Sequence, residues 1–126
     1  MTAFSAARMT VRAVGLAMLV LGVVVWTGDA AALVAVHMLL GIVLVLALWA
    51  VAVLALQAGT RPALPAIAIA WGLLMAAFGL VQAQILPGDG LHIVIQVAHL
   101  AVGLIAIGLG EALGAITTRS GASAMR

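Results

Sequence analysis

The chain has 126 residues, 67% of them hydrophobic, and carries only five basic and three acidic side chains. A water-soluble domain of this length has too little interior to hide that much apolar surface, and a chain without cysteine has neither a disulfide framework nor thiolate metal ligands. The net charge of +2 comes from arginines scattered over three places rather than gathered in a stripe, so the expected partner is a lipid bilayer and not nucleic acid.

The charges leave long apolar gaps: 16 uncharged residues between Arg12 and Asp29, 31 between Asp29 and Arg61, and 21 between Asp89 and Glu111. A bilayer-crossing helix needs roughly 20 mostly apolar residues. The pattern predicts a single transmembrane domain, all-α, with four spans. The first covers about residues 10–26 and follows Arg8 and Arg12. Those arginines, the apolar stretch and the small residues near Ala30 to Ala32 also permit a cleaved secretory signal, which would leave three spans. The second span covers about residues 30–57, after the turn Thr27-Gly28-Asp29. The third covers about residues 62–84; Pro62 and Pro65 suit its first turn, where a missing amide hydrogen costs nothing. The fourth covers about residues 90–116 and follows Pro87-Gly88-Asp89-Gly90. Residues 1–8 and 117–126 read as short frayed ends, and Glu111 and Gln57 as interfacial groups near one end of the bundle.

Four spans put all five arginines on one side and Asp29 and Asp89 on the other. The positive-inside rule then predicts a multi-pass protein of a bacterial-type cytoplasmic membrane with both termini cytoplasmic.

An ordered repeat runs through the spans. Residues 15–22 read GLAMLVLG and residues 72–79 read GLLMAAFG, sharing G-L-x-M-x-x-x-G; Gly28-Asp29 returns as Gly88-Asp89; and His37-x-x-x-Gly41 returns as His99-x-x-x-Gly103. Two tandem hairpins related by a pseudo-twofold axis along the membrane normal would produce this order.

His37 lies seven residues past Ala30 and His99 eight past Leu91, so at ~1.5 Å per residue both sit roughly 10–12 Å below the outer end of parallel helices. The pseudo-twofold brings them face to face inside the bundle, and polar side chains at that depth usually mark function. Two neutral imidazoles at one level are the arrangement that ligates haem iron from both faces, each remaining ring nitrogen being held by a carbonyl or amide. Gly41 and Gly103 lie one turn below on the same faces, where a larger side chain would strike the macrocycle. His92, Gln96, His99, Gly103 and Gly110 form one stripe of the fourth span, and Gln82 extends the face of Gly72, Met75 and Gly79 to the outer end of the third. His92, Gln96 and Gln82 are thus placed at the mouth, for a haem propionate, a proton or a quinone; Gln84 points to the opposite side, towards the headgroups or the outer turn. A divalent metal on His37, His92 and His99 lacks a neighbouring carboxylate apart from Asp89. Trp49 and Trp71 read as packing residues, Trp26 as an interfacial anchor, and the methionines as filler.

The two His-x-x-x-Gly segments, at His37–Gly41 and His99–Gly103, resemble the haem-ligating helices of membrane b-type cytochromes. The two-hairpin plan is similar to one four-helix half of haem A synthase and, more loosely, to the cytochrome b561 group. That resemblance implies one bis-histidine haem b near the outer face, exchanging electrons with a quinone, superoxide or a partner redox protein, alone, as a homo-oligomer or within a larger membrane complex. The chain departs from two-haem cytochromes in having no ligand pair in its inner half. The competing expectations are a cofactor-free structural or assembly subunit, whose histidines only bond between helices, and a small transporter, for which the inner half offers almost no polar route.

Overall fold

In the computed structural model, residues 2–28, 32–85, 90 and 92–123 are described. They form helices α1 (Ala3–Trp26), α2 (Leu33–Gln57), α3 (Ala63–Val81) and α4 (His92–Ser123), with a 3-10 turn at Gln82–Gln84 between the last two. No strand occurs among the described residues. Each helix is long and apolar enough to cross a membrane. Large apolar side chains such as Leu16, Leu39, Leu73 and Ile93 stand exposed on all four helices, an outer surface suited to lipid.

Helix ends follow local chemistry. Thr2 caps α1, its hydroxyl accepting from the Ser5 amide at 3.2 Å. α2 closes in a Schellman motif: Gly59 takes φ +81°, its amide donates to Leu56, and the Thr60 amide donates to Ala55. Pro62 caps α3 and Pro65 lies in its first turn, as the sequence predicts. The chain ends differ from expectation. α1 is helical from Ala3 and α4 continues to Ser123, because Arg8 is not a solvated flank but is held against α4. The turn residues Asp29 and Pro87 to Asp89 lie outside the described residues.

Neighbouring helices pack around the bundle, and across it α2 touches α4, while α1 and α3 do not meet among the described residues. α2 therefore contacts all three others and supplies most of the core: Leu44, Val45, Ala47, Leu48, Val51, Ala52 and Ala55. The core is completed by Val11, Ala68, Met75, Ala106 and Leu113. Nearly all of it lies in the half nearer the arginines. There the helices approach through glycine: Ile107 lies against Gly15, Val11 against Gly110, and the Arg8 side chain against Gly114. Trp49 lies against Gly72 and donates its indole N–H to the Ile69 carbonyl at 3.1 Å; Trp71 donates likewise to Val102 at 2.9 Å. The tryptophans thus pack, and each also ties its helix to the next.

Gly72→Ala is a direct test of this half. Its methyl would meet an indole ring whose hydrogen bond to α3 prevents it from moving aside. The expected loss is about 1–3 kcal/mol, the usual range for overpacking, read as a lower unfolding midpoint in mild detergent. A midpoint equal to the parent's would show that the indole can swing clear.

At the same end, Glu111 is not merely solvated. It accepts from Arg8 Nη2 at 2.8 Å and from Arg12 Nε and Nη2 at 2.6 and 2.7 Å. This ion-pair triad joins α1 to α4.

Candidate functional site

The other half of the bundle is hollow. A cavity of about 750 Å³ runs from the Trp26, Gln82 and His92 end of the helices down to Gly15, Trp49 and Ile107. Leu44, Val45 and Met75 belong both to the core and to this cavity, so they are its floor. The split follows from side-chain size. Where α1 and α4 carry glycine against Val11 or Ile107, a neighbour fills the space, whereas Gly103 faces nothing within 4 Å.

His37 and His99 project into this cavity from α2 and α4, the two helices that meet across the bundle. Their ring centroids are 6.1 Å apart with the planes inclined at 47°. Each ring passes over a glycine of the adjacent helix: His37 Cε1 is 3.5 Å from where a Cβ on Gly22 would stand, and His99 Cε1 is 3.7 Å from the same point on Gly79. Anything longer than alanine at either glycine would push the imidazole aside.

Nδ1 of both rings is buried and has no hydrogen-bond partner, as is Nδ1 of His92. The sequence-based expectation of a carbonyl or amide holding that nitrogen is therefore not met. No acceptor on the flanking turns is aimed at the ring, and packing alone orients it. On the third side, Phe78 lies against His99 with centroids 5.9 Å apart. Nε2 of His37 and of His99 makes no hydrogen bond among the described residues, and both rings line the cavity.

Every candidate residue from the sequence lines this one cavity: His37, His99, Gly41, Gly103, His92, Gln96 and Gln82. Gln84 joins them instead of pointing away, because the helix tightens to a 3-10 turn at Gln82 and rotates it towards the rim. The polar groups gather at the rim and at the histidine level, and among the described residues no charged side chain lines the wall. Sequence reasoning missed Phe78 as a ring neighbour; its place beside Gly79 was the only available signal. It also treated Met18 and Met75 as general filler, whereas both line the cavity, with Met18 Cε 3.5 Å from the Cβ position of Gly41. No group of three or more His, Cys, Asp or Glu residues is gathered for a metal ion among the described residues, so the His37, His92 and His99 set does not form a metal cage.

Two accessible imidazole nitrogens facing one apolar space can ligate a single metal centre carried by a large apolar group. Among the described residues, no carboxylate or nucleophile lines the wall beside them. Comparison with protein-family models, with curated proteins and with solved structures returned no match.

Proposed function

We propose that the chain is a multi-pass protein of a bacterial-type cytoplasmic membrane, with both termini cytoplasmic, that holds one haem b between His37 and His99. It exchanges electrons near the outer face with a membrane quinone or a partner redox protein. The observation that carries this reading is the histidine spacing. Two metal–nitrogen bonds of ~2 Å plus ~1 Å from each nitrogen to its ring centre add to roughly 6 Å, against 6.1 Å between the rings here. A cavity of about 750 Å³ with glycines bordering both rings supplies the room that a flat macrocycle needs.

When bound, the haem supplies one-electron chemistry, its iron passing between ferric and ferrous states. The chain's own residues do the rest. His37 and His99 are the residues that would hold the haem, through their imidazole nitrogens. Their buried Nδ1 atoms have no acceptor, which leaves the potential to be tuned by burial more than by hydrogen bonding. His92, Gln82 and Gln96 present hydrogen-bonding groups at the rim, where a polar ligand edge meets the headgroup region. The packed half offers no second ligand pair, which confines electron exchange to the hollow half. Paired contacts support the pseudo-twofold arrangement: Gly22 on His37 is repeated as Gly79 on His99, and Met18 and Met75 face the cavity from corresponding helices.

The test is the absorption spectrum of the protein purified in mild detergent after expression with ample haem. A Soret band with sharp α and β bands on dithionite reduction is expected. A colourless preparation would overturn the haem reading and favour a cofactor-free structural or assembly subunit.

A further inference from the structure

The flanks of the cavity show how it is reached. α2 and α3 are drawn together where Trp49 lies on Gly72. Two turns further along the Trp49 face stands Ile42, and two turns along the Gly72 face stands Gly79, where a Cβ would meet only His99 of α4 and nothing of α2, with Leu80 beside it. Helices packed along their whole length would bury that pair, yet Ile42 is 58% and Leu80 65% exposed, and both line the cavity. α2 and α3 therefore diverge beyond Trp49 and leave a gap.

The opposite flank repeats the arrangement. α1 and α4 close on Gly110 and Gly15, through Val11 and Ile107. Two turns on, Val23 and Leu100 are 60% and 38% exposed and again line the cavity. Among the described residues, both gaps open sideways between apolar side chains and glycine, whereas the route along the bundle axis runs past the polar rim of Gln82, Gln84, His92 and Gln96. In a spanning bundle the side gaps face acyl chains.

We infer that the cavity is filled from within the bilayer, through the α2–α3 and α1–α4 gaps, and that its haem arrives as a lipid-dissolved molecule rather than from water. The identity of the ligand rests on the reading above; the route rests on the gaps themselves. An amphiphile with an apolar body and a polar edge partitions into the membrane, and an apolar flank admits it without desolvating any charge of the protein.

The native chain has no cysteine, so thiol pairs can be placed across the gaps alone. In a Trp26→Phe, Trp71→Phe background, Trp49 at the cavity floor is the sole indole. Ile42→Cys with Leu80→Cys, and Val23→Cys with Leu100→Cys, are bridged by a short bifunctional maleimide in phospholipid vesicles. Before bridging, phospholipid with brominated acyl chains quenches Trp49 strongly and aqueous iodide does not. After bridging both pairs, lipid quenching falls severalfold, and uptake of haem from haem-loaded vesicles slows severalfold relative to the same protein before bridging. Iodide quenching as strong as that by brominated lipid, or lipid quenching indifferent to the bridges, overturns the inference. Lipid quenching that responds to the bridges in a protein that never takes up haem upholds the route and rejects the haem.

Discussion

Alanine in place of His37 or His99 is expected to abolish the bis-imidazole haem spectrum while leaving the helical content of the bundle unchanged. Both rings stand on the wall of an existing cavity rather than inside the packed half, so truncating one enlarges a void that is already open. The penalty for a large-to-small change grows with the cavity it creates. Here little new cavity forms, and a stability change within about 1 kcal/mol is expected. Removing the ring also removes a buried, unpartnered Nδ1, a small gain that offsets part of the lost packing. Ligation, in contrast, would lose one of its two imidazoles, and no other histidine stands at that level: His92 starts α4 two turns away from His99, while Met18 lies beside Gly41, one turn below His37, and Met75 at the floor. Absorption spectroscopy and circular dichroism on the same samples separate the two effects. Added imidazole is expected to restore part of the spectrum in the His99→Ala protein, since the vacated site stays open. If either single variant keeps the parent's reduced α and β bands, that histidine is not a ligand.

Replacing Glu111 by alanine is expected to produce the largest loss of stability at the arginine end. One carboxylate holds two guanidinium groups, Arg12 through both Nε and Nη2 and Arg8 through Nη2, so its removal leaves two cations facing each other across the α1–α4 seam. Arg8 is the more confined of the two, and its Nε already lacks a partner. Breaking a fully buried pair is strongly destabilising, but these side chains keep 25–51% of their exposure, and solvent screening leaves only a small part of that loss. The seam beside them tolerates no rearrangement, with Val11 2.9 Å and Ile107 2.7 Å from the Cβ positions of Gly110 and Gly15. Thermal unfolding in mild detergent measures the loss. Glu111→Gln, which keeps shape and hydrogen-bonding capacity without charge, should fall between parent and alanine variant. A Glu111→Ala midpoint matching the parent's would mean the triad is a surface decoration with no share in closing the bundle.

The helices themselves were largely legible in the sequence. Apolar runs bounded by Gly59, Pro62 and Pro65 are local signals, and the observed helices begin or end beside them. The chain ends were misjudged for a non-local reason: Arg8 looks like a solvated flank until Glu111, 103 residues away, is brought to it. Gln84 was misplaced because a 3-10 turn changes the angular step between residues, and a helical wheel assumes that it does not. Phe78 carried no motif at all, and its role beside His99 depends on how α3 meets α4.

Four membrane-length helices, and two imidazoles on α2 and α4 each one turn from a glycine, are properties of the chain read residue by residue. Those properties depend on hydrophobicity and on the helical period, which any stretch of chain carries alone. Which glycines close the bundle and which leave it open was decided only by the tertiary structure. Gly15, Gly72, Gly110 and Gly114 are filled by Ile107, Trp49, Val11 and Arg8, while Gly103 borders empty space and Gly22 and Gly79 border the histidine rings. A residue without a side chain specifies neither outcome; its neighbours across the helix interface do, and they come from the far end of the chain.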